Sequence, residues 1–298
     1  MPKDVDSAAC HKRLPSWFRQ EIPQDTGFIK NRLKEFENSG LNTVCLSARC
    51  PNLSGCFKEN SVTFMIMGSS CSRDCGFCAV GKGRLNPLEL SEAYNLALTI
   101  NRLNLSYVVI TSVTRDDLPF GGASQYARAV YLIRKINPGK KIELLIPDFR
   151  NQPEAISLVA KSCPDIIAHN LETVESLYQE VRPLADYRQS LEVLRKVKNL
   201  GFAGWVKSGI MLGFGESREE VVKAIKDLKE SGCDILTLGQ YLAPSGRHIP
   251  VKEFINPEQF ESYRREALNL GFKAVYSGPL VRSSYKAEEV YRKVDNSV

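Results

Sequence analysis

The chain has 298 residues, of which 43% are hydrophobic and 25% are charged, proportions typical of a globular protein with a sizeable core. The polar N-terminus and the lack of an apolar run of about 18 residues predict a soluble, cytoplasmic protein without a membrane partner. The net charge of +6 indicates a solvated surface or a face for an anionic cofactor or acidic protein. No nucleic-acid-binding motif accompanies it, so we expect no nucleic-acid partner.

Residues 1–60 lack the repeating pattern of the rest of the chain, and we interpret them as an N-terminal extension. They carry a C-x4-C-x5-C triplet, formed by Cys45, Cys50 and Cys56. Clustered cysteines in a reducing compartment indicate metal binding or catalysis rather than disulfides. Zinc and cubane iron–sulfur clusters usually take four protein ligands, so this triplet needs a fourth ligand from elsewhere.

Residues 61–272 alternate short apolar runs with helical patterns. The near-continuously apolar runs are typical of strands covered on both faces, as in a parallel sheet. The predicted strands are 62–67, 107–113, 141–147, 165–171, 205–212 and 234–241. The predicted helices are 91–104, 126–137, 187–201, 217–232 and 257–271. This alternation implies right-handed βαβ units. It favours an α/β fold, a partial (β/α)6 TIM-like barrel, over an open doubly wound sheet, with residues 273–298 as a C-terminal extension.

A second triplet, C-x3-C-x2-C, directly follows the first predicted strand. It consists of Cys71, Cys75 and Cys78. Loops after the carboxyl ends of barrel strands build active sites. Three thiolates on a cubane leave one iron open to a substrate. The alternative is a zinc knuckle with a fourth ligand elsewhere, but zinc ribbons use paired C-x2-C units.

With Phe77 before its last cysteine, the second triplet resembles the radical S-adenosylmethionine (SAM) superfamily. The resemblance implies a 4Fe–4S cluster whose open iron binds SAM and whose electron releases a 5′-deoxyadenosyl radical. It favours Asp116 as a cofactor contact, the alternative being a helix-capping acidic loop. Bound SAM also needs a carboxylate for its ribose and a guanidinium for its methionine carboxylate. Glu172 and Arg182 are the candidates, although either could be a solvated loop charge.

Further segments resemble the lipoyl synthase family. They are the first triplet and residues 111–123, 169–174, 208–216 and 277–287. In that family the first triplet holds an auxiliary 4Fe–4S cluster, with a C-terminal serine as fourth ligand. Matching the motif "RSSY" assigns that role to Ser284, with Ser283 as a near-equal alternative. The spacers "LSAR" and "NLSG" depart from the acidic spacers usual in the family, so recognition of the protein substrate is where we expect a difference.

The resemblance implies insertion of sulfur at C6 and C8 of a protein-bound octanoyl-lysine, with the auxiliary cluster as sulfur donor. The implied partners are an octanoylated lipoyl-carrier protein, either a 2-oxoacid dehydrogenase E2 or glycine cleavage H protein, and an electron donor such as ferredoxin or flavodoxin. One alternative is a radical enzyme whose second cluster only relays electrons. A serine ligand binds an iron of the cluster more weakly than a thiolate does. Such a weak ligand favours a cluster that donates its sulfur over one that only relays electrons.

The other alternative is a non-catalytic iron–sulfur or zinc protein. Ferredoxins use a distant cysteine followed by proline, and neither Cys50 nor Cys163 matches that arrangement. Cys163 and Cys233 lack ligand spacing and are predicted to be packing thiols, and Cys10 also lacks it. The histidines His169 and His248 are predicted to be structural, because hydrogen abstraction by a carbon radical needs no base.

Overall fold

The computed structural model describes residues 14–19 and 27–296. Within these ranges the strands are β1 (Asn42–Thr43), β2 (Thr63–Ile66), β3 (Ser70–Cys71), β4 (Gly81–Lys82), β5 (Tyr107–Ser112), β6 (Lys141–Leu145), β7 (Ile166–Ala168), β8 (Trp205–Leu212), β9 (Ile235–Gln240) and β10 (Ala274–Gly278). The α-helices are α1 (Gly27–Asn38), α2 (Val44–Ser47), α3 (Leu53–Lys58), α4 (Glu92–Arg102), α5 (Ala123–Ile136), α6 (Pro153–Lys161), α7 (Tyr178–Val181), α8 (Tyr187–Asn199), α9 (Arg218–Glu230), α10 (Pro257–Asn269) and α11 (Ala287–Asp295).

The main sheet has eight strands in the order β1-β2-β5-β6-β7-β8-β9-β10. All neighbours from β2 to β10 are parallel, and only β1 runs antiparallel to its neighbour β2. The predicted α/β class is confirmed. Sequence did not predict the two edge strands. Of these, β10 continues the parallel sheet into the segment that we interpreted as the C-terminal extension.

The helices between the strands form where the sequence supplies caps and one apolar face. In α9, the Ser217 side chain accepts from the Glu220 N–H, and the Glu220 carboxylate accepts from the Ser217 N–H. This is the capping box that the sequence predicted. Val221, Ile225 and Leu228 are buried on one face of the same helix. All six residues of β9 are buried, as expected of a strand covered on both faces.

The helix α11 lies across the amino ends of strands that are distant in the sheet order. One buried cluster unites Tyr107, Ile166, Ile235, Ala274, Val290 and Tyr291. In a flat sheet β5 and β10 would lie roughly 24 Å apart, five strand spacings of about 4.8 Å. Their contact with one helix therefore shows that the sheet curls into an open barrel, with α11 closing its amino end.

A buried ion pair fills the barrel above α11. The ammonium of Lys207 lies 2.8 and 3.0 Å from the two carboxylate oxygens of Glu143, and neither side chain is more than 1% exposed. The Tyr107 hydroxyl donates to the same carboxylate at 2.6 Å. Because this half of the barrel is filled and its charges are paired, space for chemistry lies at the carboxyl ends of the strands.

Within the described ranges, none of the helices combines the length and the apolar character needed to cross a bilayer.

Candidate functional site

The second triplet lies in the loop that follows β2 at the carboxyl end of the barrel. The chain leaves β2 through Met67 and Gly68, which both have a left-handed φ, of 68° and 91°. The buried Glu92 carboxylate at the start of α4 accepts the N–H of Met67 at 2.7 Å and that of Gly68 at 3.4 Å. This contact fixes the direction in which the cysteine loop begins.

Backbone hydrogen bonds hold this loop against three other parts of the barrel. The Ser72 N–H donates to Thr114 O at 2.9 Å, and the Gly76 N–H donates to Val181 O at 3.0 Å. The Gly76 carbonyl in turn accepts the Ile249 N–H at 3.1 Å. The cysteine loop is therefore tied to loops that follow β5, β7 and β9.

A histidine fixes the last cysteine of this loop. His248 Nε2 lies 3.2 Å from the carbonyl oxygen of Cys78, and its Nδ1 lies 2.9 Å from the Ser245 hydroxyl. Because a carbonyl can only accept, Nε2 carries a proton and donates it to the Cys78 carbonyl. The role of His248 in this geometry is to position the loop.

A buried arginine, Arg73, holds the same loop in place. Arg73 donates to Asp148 at 2.6 and 2.7 Å and to Asp116 at 2.8 and 3.0 Å. Burial alone would raise the pKa of both carboxyls, but the Arg73 guanidinium outweighs it, lowering the pKa of Asp116 and bringing that of Asp148 to about 2. The Ser72 hydroxyl and Arg150 also engage Asp116. Asp116 thus lies under the cysteine loop with its oxygens occupied by this chain.

The three thiols of the second triplet lie near one another. Burial raises the pKa of Cys78 to about 11, and the charges of Cys75 and Cys71 add to the rise. Burial also raises the pKa of Cys75, and the neighbouring Arg182 guanidinium opposes that rise. The Cys71 sulfur accepts from the N–H groups of Arg73 at 3.4 Å and Thr114 at 3.3 Å. The structure therefore brings the triplet together with Arg182.

Arg182 and Glu172 lie beside the triplet at the carboxyl end of β7. One guanidinium nitrogen of Arg182 donates to the Tyr178 hydroxyl at 2.6 Å and to the Asn170 carbonyl at 3.2 Å. Glu172 accepts from the Asn170 side-chain amide at 3.1 Å. Burial raises the pKa of Glu172, and the charge of Arg182 opposes the rise. Glu172 and Arg182, two of the predicted SAM contacts, are thus near Cys75.

Several buried polar atoms in this region have no hydrogen-bond partner within the described part of the chain. They are His169 Nε2, Asn170 Oδ1, Thr173 Oγ1 and Arg182 Nε. His169 is neutral, since burial lowers its pKa to about 4, and its Nδ1 donates to Ile146 O at 2.9 Å. Its Nε2 and Asn170 Oδ1 are therefore acceptors, whereas Arg182 Nε is a donor. Buried polar groups normally have partners, so this set fits a polar ligand with hydroxyl or amine donors and an anionic acceptor, as SAM has.

The first triplet lies at the β1 edge of the sheet, with Cys45 in α2, Cys56 in α3 and Cys50 between these two short helices. Thr43 caps α2 by accepting the Cys45 N–H at 3.2 Å, and its hydroxyl donates to Thr63 O at 2.8 Å. The Cys50 N–H donates to Cys45 O at 3.0 Å. These contacts anchor the triplet to β2, the strand that precedes the second triplet.

The thiols of the first triplet also lie near one another. Burial raises the pKa of Cys56 to about 12, and the charges of Cys50 and Cys45 add to the rise. Burial raises the pKa of Cys50, whereas the Asn52 N–H and the charge of Arg282 oppose that rise. The guanidinium of the C-terminal motif is therefore near this triplet.

A direct hydrogen bond joins the first triplet to the segment before the C-terminal serines. The Asn52 side-chain amide, between Cys50 and Cys56 in sequence, donates to Leu280 O at 2.6 Å. The two residues are 228 positions apart. Ser283 and Ser284 are half-buried in the turn that precedes α11, and neither hydroxyl makes a hydrogen bond to another described residue. The predicted meeting of triplet and motif is present, and which serine serves as ligand stays a prediction.

Each triplet supplies three thiols, the soft ligands that an iron–sulfur cluster takes. Among the described residues, no group of three or more His, Cys, Asp or Glu side chains converges on one ion position. All six thiols of the two triplets are free and half-buried.

The other predicted residues have mixed outcomes. Phe77 packs against the buried Val181, Phe214 and Tyr241. Cys233 is fully buried, as a packing thiol should be. The same prediction for Cys163 is wrong, since this residue is exposed with a left-handed φ of 56° after α6. Cys10 lies outside the described residues.

Sequence reasoning missed the residues that hold the two sites together. They are Arg73, Asp148 and Asn52, whereas His248 has the structural role that the sequence predicted. Asp148 follows the carboxyl end of β6, the place where polar side chains of a parallel barrel converge. The position of Asp148 after a strand was therefore the sequence signal that could have identified it. Nothing in the local sequence of Arg73 or Asn52 reveals its distant partner.

Comparisons with known proteins identify relatives of this chain in sequence and in fold. The family model of the radical SAM superfamily matches residues 65–239. Lipoyl synthase of Alkaliphilus metalliredigens is 50% identical over 95% of this chain and 97% of its own, and that of Caldanaerobacter subterraneus is 51% identical over 93% and 96%. In fold, the chain is similar to methylornithine synthase (PylB), with a TM-score of 0.53, 14% identity and coverage of 78% and 80%. Streptococcus suis SuiB bound to its precursor peptide gives a TM-score of 0.57 at 12% identity, covering 89% and 58%.

Proposed function

This chain belongs to the lipoyl synthase family of radical SAM enzymes, which serves lipoate biosynthesis, and we propose that it inserts two sulfur atoms, at C6 and C8, into a protein-bound octanoyl-lysine. The observation that carries the proposal is the hydrogen bond between Asn52 and Leu280, which joins the first triplet to the serine motif. A cysteine triplet beside a hydroxyl-bearing motif supplies three soft ligands and one hard, weaker one. A cluster that only relays electrons gains nothing from such a weak ligand.

We assign the ligands as the sequence predicted them. Cys71, Cys75 and Cys78 bind the 4Fe–4S cluster of the radical SAM family, and Cys45, Cys50, Cys56 and Ser284 bind an auxiliary 4Fe–4S cluster. When bound, these groups and SAM supply a 5′-deoxyadenosyl radical and a source of sulfide. This division of labour explains why no acid–base pair is needed for unactivated carbon.

The residues of the chain then bind, orient and exclude water. Arg182 offers its unpartnered Nε–H to the methionine carboxylate, while Asn170 Oδ1 and Glu172 accept from the ribose hydroxyls. The Arg73 clamp keeps the cysteine loop fixed while SAM enters. Asp116 contributes by holding that clamp, so its effect on SAM is indirect.

The partners follow from the substrate. An octanoyl group on the lysine of a carrier domain, from an E2 subunit or H protein, would enter at the carboxyl end of the barrel, where the second triplet is half-buried. A ferredoxin or flavodoxin would supply the electrons.

The test uses the full chain, reconstituted anaerobically with heavy-isotope sulfide and incubated with SAM, reductant and an octanoyl-lysine peptide. We expect two clusters, or about eight irons per chain, and a peptide that gains two heavy sulfur atoms by mass spectrometry. The matched control is Cys50→Ala, which should cleave SAM and leave the peptide without sulfur. An unlabelled or unmodified peptide from the two-cluster wild type would contradict the proposal and favour the relay.

A further inference from the structure

The segment that carries the two serines returns along the whole depth of the barrel. This serine segment, residues 279–286, begins after β10 at the carboxyl end and finishes at α11, which closes the amino end. Ser283 and Ser284 therefore lie on a connection that is not part of the sheet. Their position depends on what holds the connection in place.

A glycine of β9, Gly239, makes the first contact that holds the serine segment. A Cβ built on Gly239 would lie 2.0 Å from the carbonyl oxygen of Val281 and 2.9 Å from its carbonyl carbon. Both atoms are backbone, so no side-chain rotation relieves the overlap. Gly239 has no left-handed φ, and space is the only reason that a glycine is required here. The β9 backbone thus receives the serine segment at Val281 by direct close approach.

The side-chain amide of Asn52 makes the second contact, with the neighbouring peptide unit of the serine segment. Asn52 is 6% exposed, and its 2.6 Å hydrogen bond goes to Leu280 O, one residue before Val281. Its own N–H also interacts with the Cys50 thiol. One residue therefore contacts both the first triplet and the serine segment.

These two contacts hold consecutive peptide units of the serine segment from the two sides of the open barrel. Asn52 belongs to the segment that pairs next to β2, and Gly239 belongs to β9 near the other edge. Ser283 and Ser284 follow within three residues, and the Tyr285 N–H donates to Arg282 O at 2.9 Å, which keeps the intervening turn short.

We infer that Gly239 and Asn52 are positioning residues that hold the serine segment against the first triplet, so that a serine hydroxyl reaches the auxiliary cluster. The inference rests on the proposed function, because it presupposes that cluster and its serine ligand. A methyl group at position 239 must displace the Val281 carbonyl by roughly 1 Å or more to restore ordinary contact. A displacement of that size, two or three residues before the ligand, breaks a metal–oxygen bond.

The test compares Gly239→Ala with Gly246→Ala in the full chain. Gly246 lies in the connection after β9, has no left-handed φ and has no atom within 4 Å of an added Cβ, so it is the matched control. Each protein is reconstituted anaerobically and kept with SAM to protect the radical cluster. Its iron content, its electron paramagnetic resonance spectrum and the rate of iron loss to a chelator are then measured.

We expect wild type and Gly246→Ala to hold about eight irons per chain. Gly239→Ala should lose iron from the auxiliary cluster faster, by about 10- to 100-fold, the range for residues that support metal ligands. Its auxiliary-cluster signal should match that of Ser284→Ala or Ser283→Ala. The signal of the radical cluster with SAM should stay as in wild type, which a general loss of folding would not allow.

A second variant keeps the inference testable if Gly239→Ala folds poorly. Asn52→Asp preserves the shape of the side chain and removes the N–H donor to Leu280 O, so it should reproduce the faster iron loss and the changed signal. If both variants retain wild-type iron loss and spectra, the positioning inference is wrong while the two-cluster proposal stands. If wild type itself binds only one cluster, the proposed function fails, and the inference fails with it.

Discussion

The two cysteine triplets differ in how the fold holds them. The second triplet lies on one loop after β2, clamped by the buried Arg73 between two carboxylates and by backbone hydrogen bonds to three loops. The first triplet lies on two short helices and the turn between them at the sheet edge, and its contact with the serine motif spans 228 residues. A site fixed by buried charges suits a cluster that persists through turnover. Under the proposed function, a site completed by a separate segment suits a cluster that opens.

The largest expected effect separates the triplets by substituting one cysteine in each. Cys75→Ala should abolish 5′-deoxyadenosine formation to background, because two thiolates cannot hold the iron that SAM needs. Cys50→Ala should retain SAM cleavage and lose sulfur insertion completely. Chromatography of 5′-deoxyadenosine and mass spectrometry of the peptide measure the two outcomes. Full SAM cleavage by Cys75→Ala would sink the assignment of the second triplet.

A smaller effect concerns the weak corner of the first triplet. Ser284→Cys supplies a softer and stronger ligand, so the auxiliary cluster should assemble and resist loss of iron. We expect normal SAM cleavage and sulfur insertion reduced by about 100-fold, measured in the same two assays.

The adjacent serine is the control for this prediction. Ser283→Cys should behave as wild type if Ser284 is the ligand, and the two phenotypes should exchange if Ser283 is. Normal sulfur insertion by both variants would mean that neither hydroxyl is the labile corner.

The sequence predicted the parts of each site that depend on local spacing. The cysteine intervals and the position of the second triplet after a strand are local features, and both triplets assemble as expected. The strand pattern also predicted the barrel, since apolar runs and helix caps such as Ser217 are read within a few residues. The edge strand β10 was missed because its short run leads directly into Gly278 and Pro279, which are typical of a turn.

The contacts that complete the sites could not be predicted, because their partners are distant in sequence. Asn52 is an ordinary spacer residue until Leu280 lies beside it, and Gly239 is an ordinary strand glycine until Val281 approaches. Asp148 gains its meaning only when Arg73 reaches it across 75 residues. Such residues become visible only when the curled sheet brings its edges together.

The next effect tests the clamp beneath the second triplet. Asp148→Asn removes one charge from a fully buried partner of Arg73, and it should lower the free energy of unfolding by roughly 3 kcal/mol. Cluster loading of the second triplet and SAM cleavage should fall, while the auxiliary cluster keeps its spectrum. Thermal unfolding and iron analysis check these outcomes.

The pKa of Asp148 gives the pH range and the control. Because its folded pKa of about 2 is below the unfolded value of about 4, its contribution is present above pH 4 and is lost as pH falls towards 2. The difference between wild type and Asp148→Asn should therefore be constant from pH 6 to 8. Glu261→Gln, at an exposed carboxylate beside Arg264 and Arg265, should change neither stability nor cluster loading.

The smallest expected effect is a loss of stability caused by a substitution far from both triplets. Ser217→Ala removes the hydroxyl that caps α9 and should lower the free energy of unfolding by about 1 kcal/mol, or roughly 2 °C in Tm for a chain of this size. The Glu220 carboxylate keeps its bond from the N–H of residue 217, so the helix start is weakened rather than lost. Iron content, both cluster spectra and sulfur insertion should equal those of wild type at 25 °C. If this variant instead lost auxiliary iron, the sensitivity of the first triplet would reflect general stability, and the contrast between a clamped site and a site completed by a distant segment would no longer explain it.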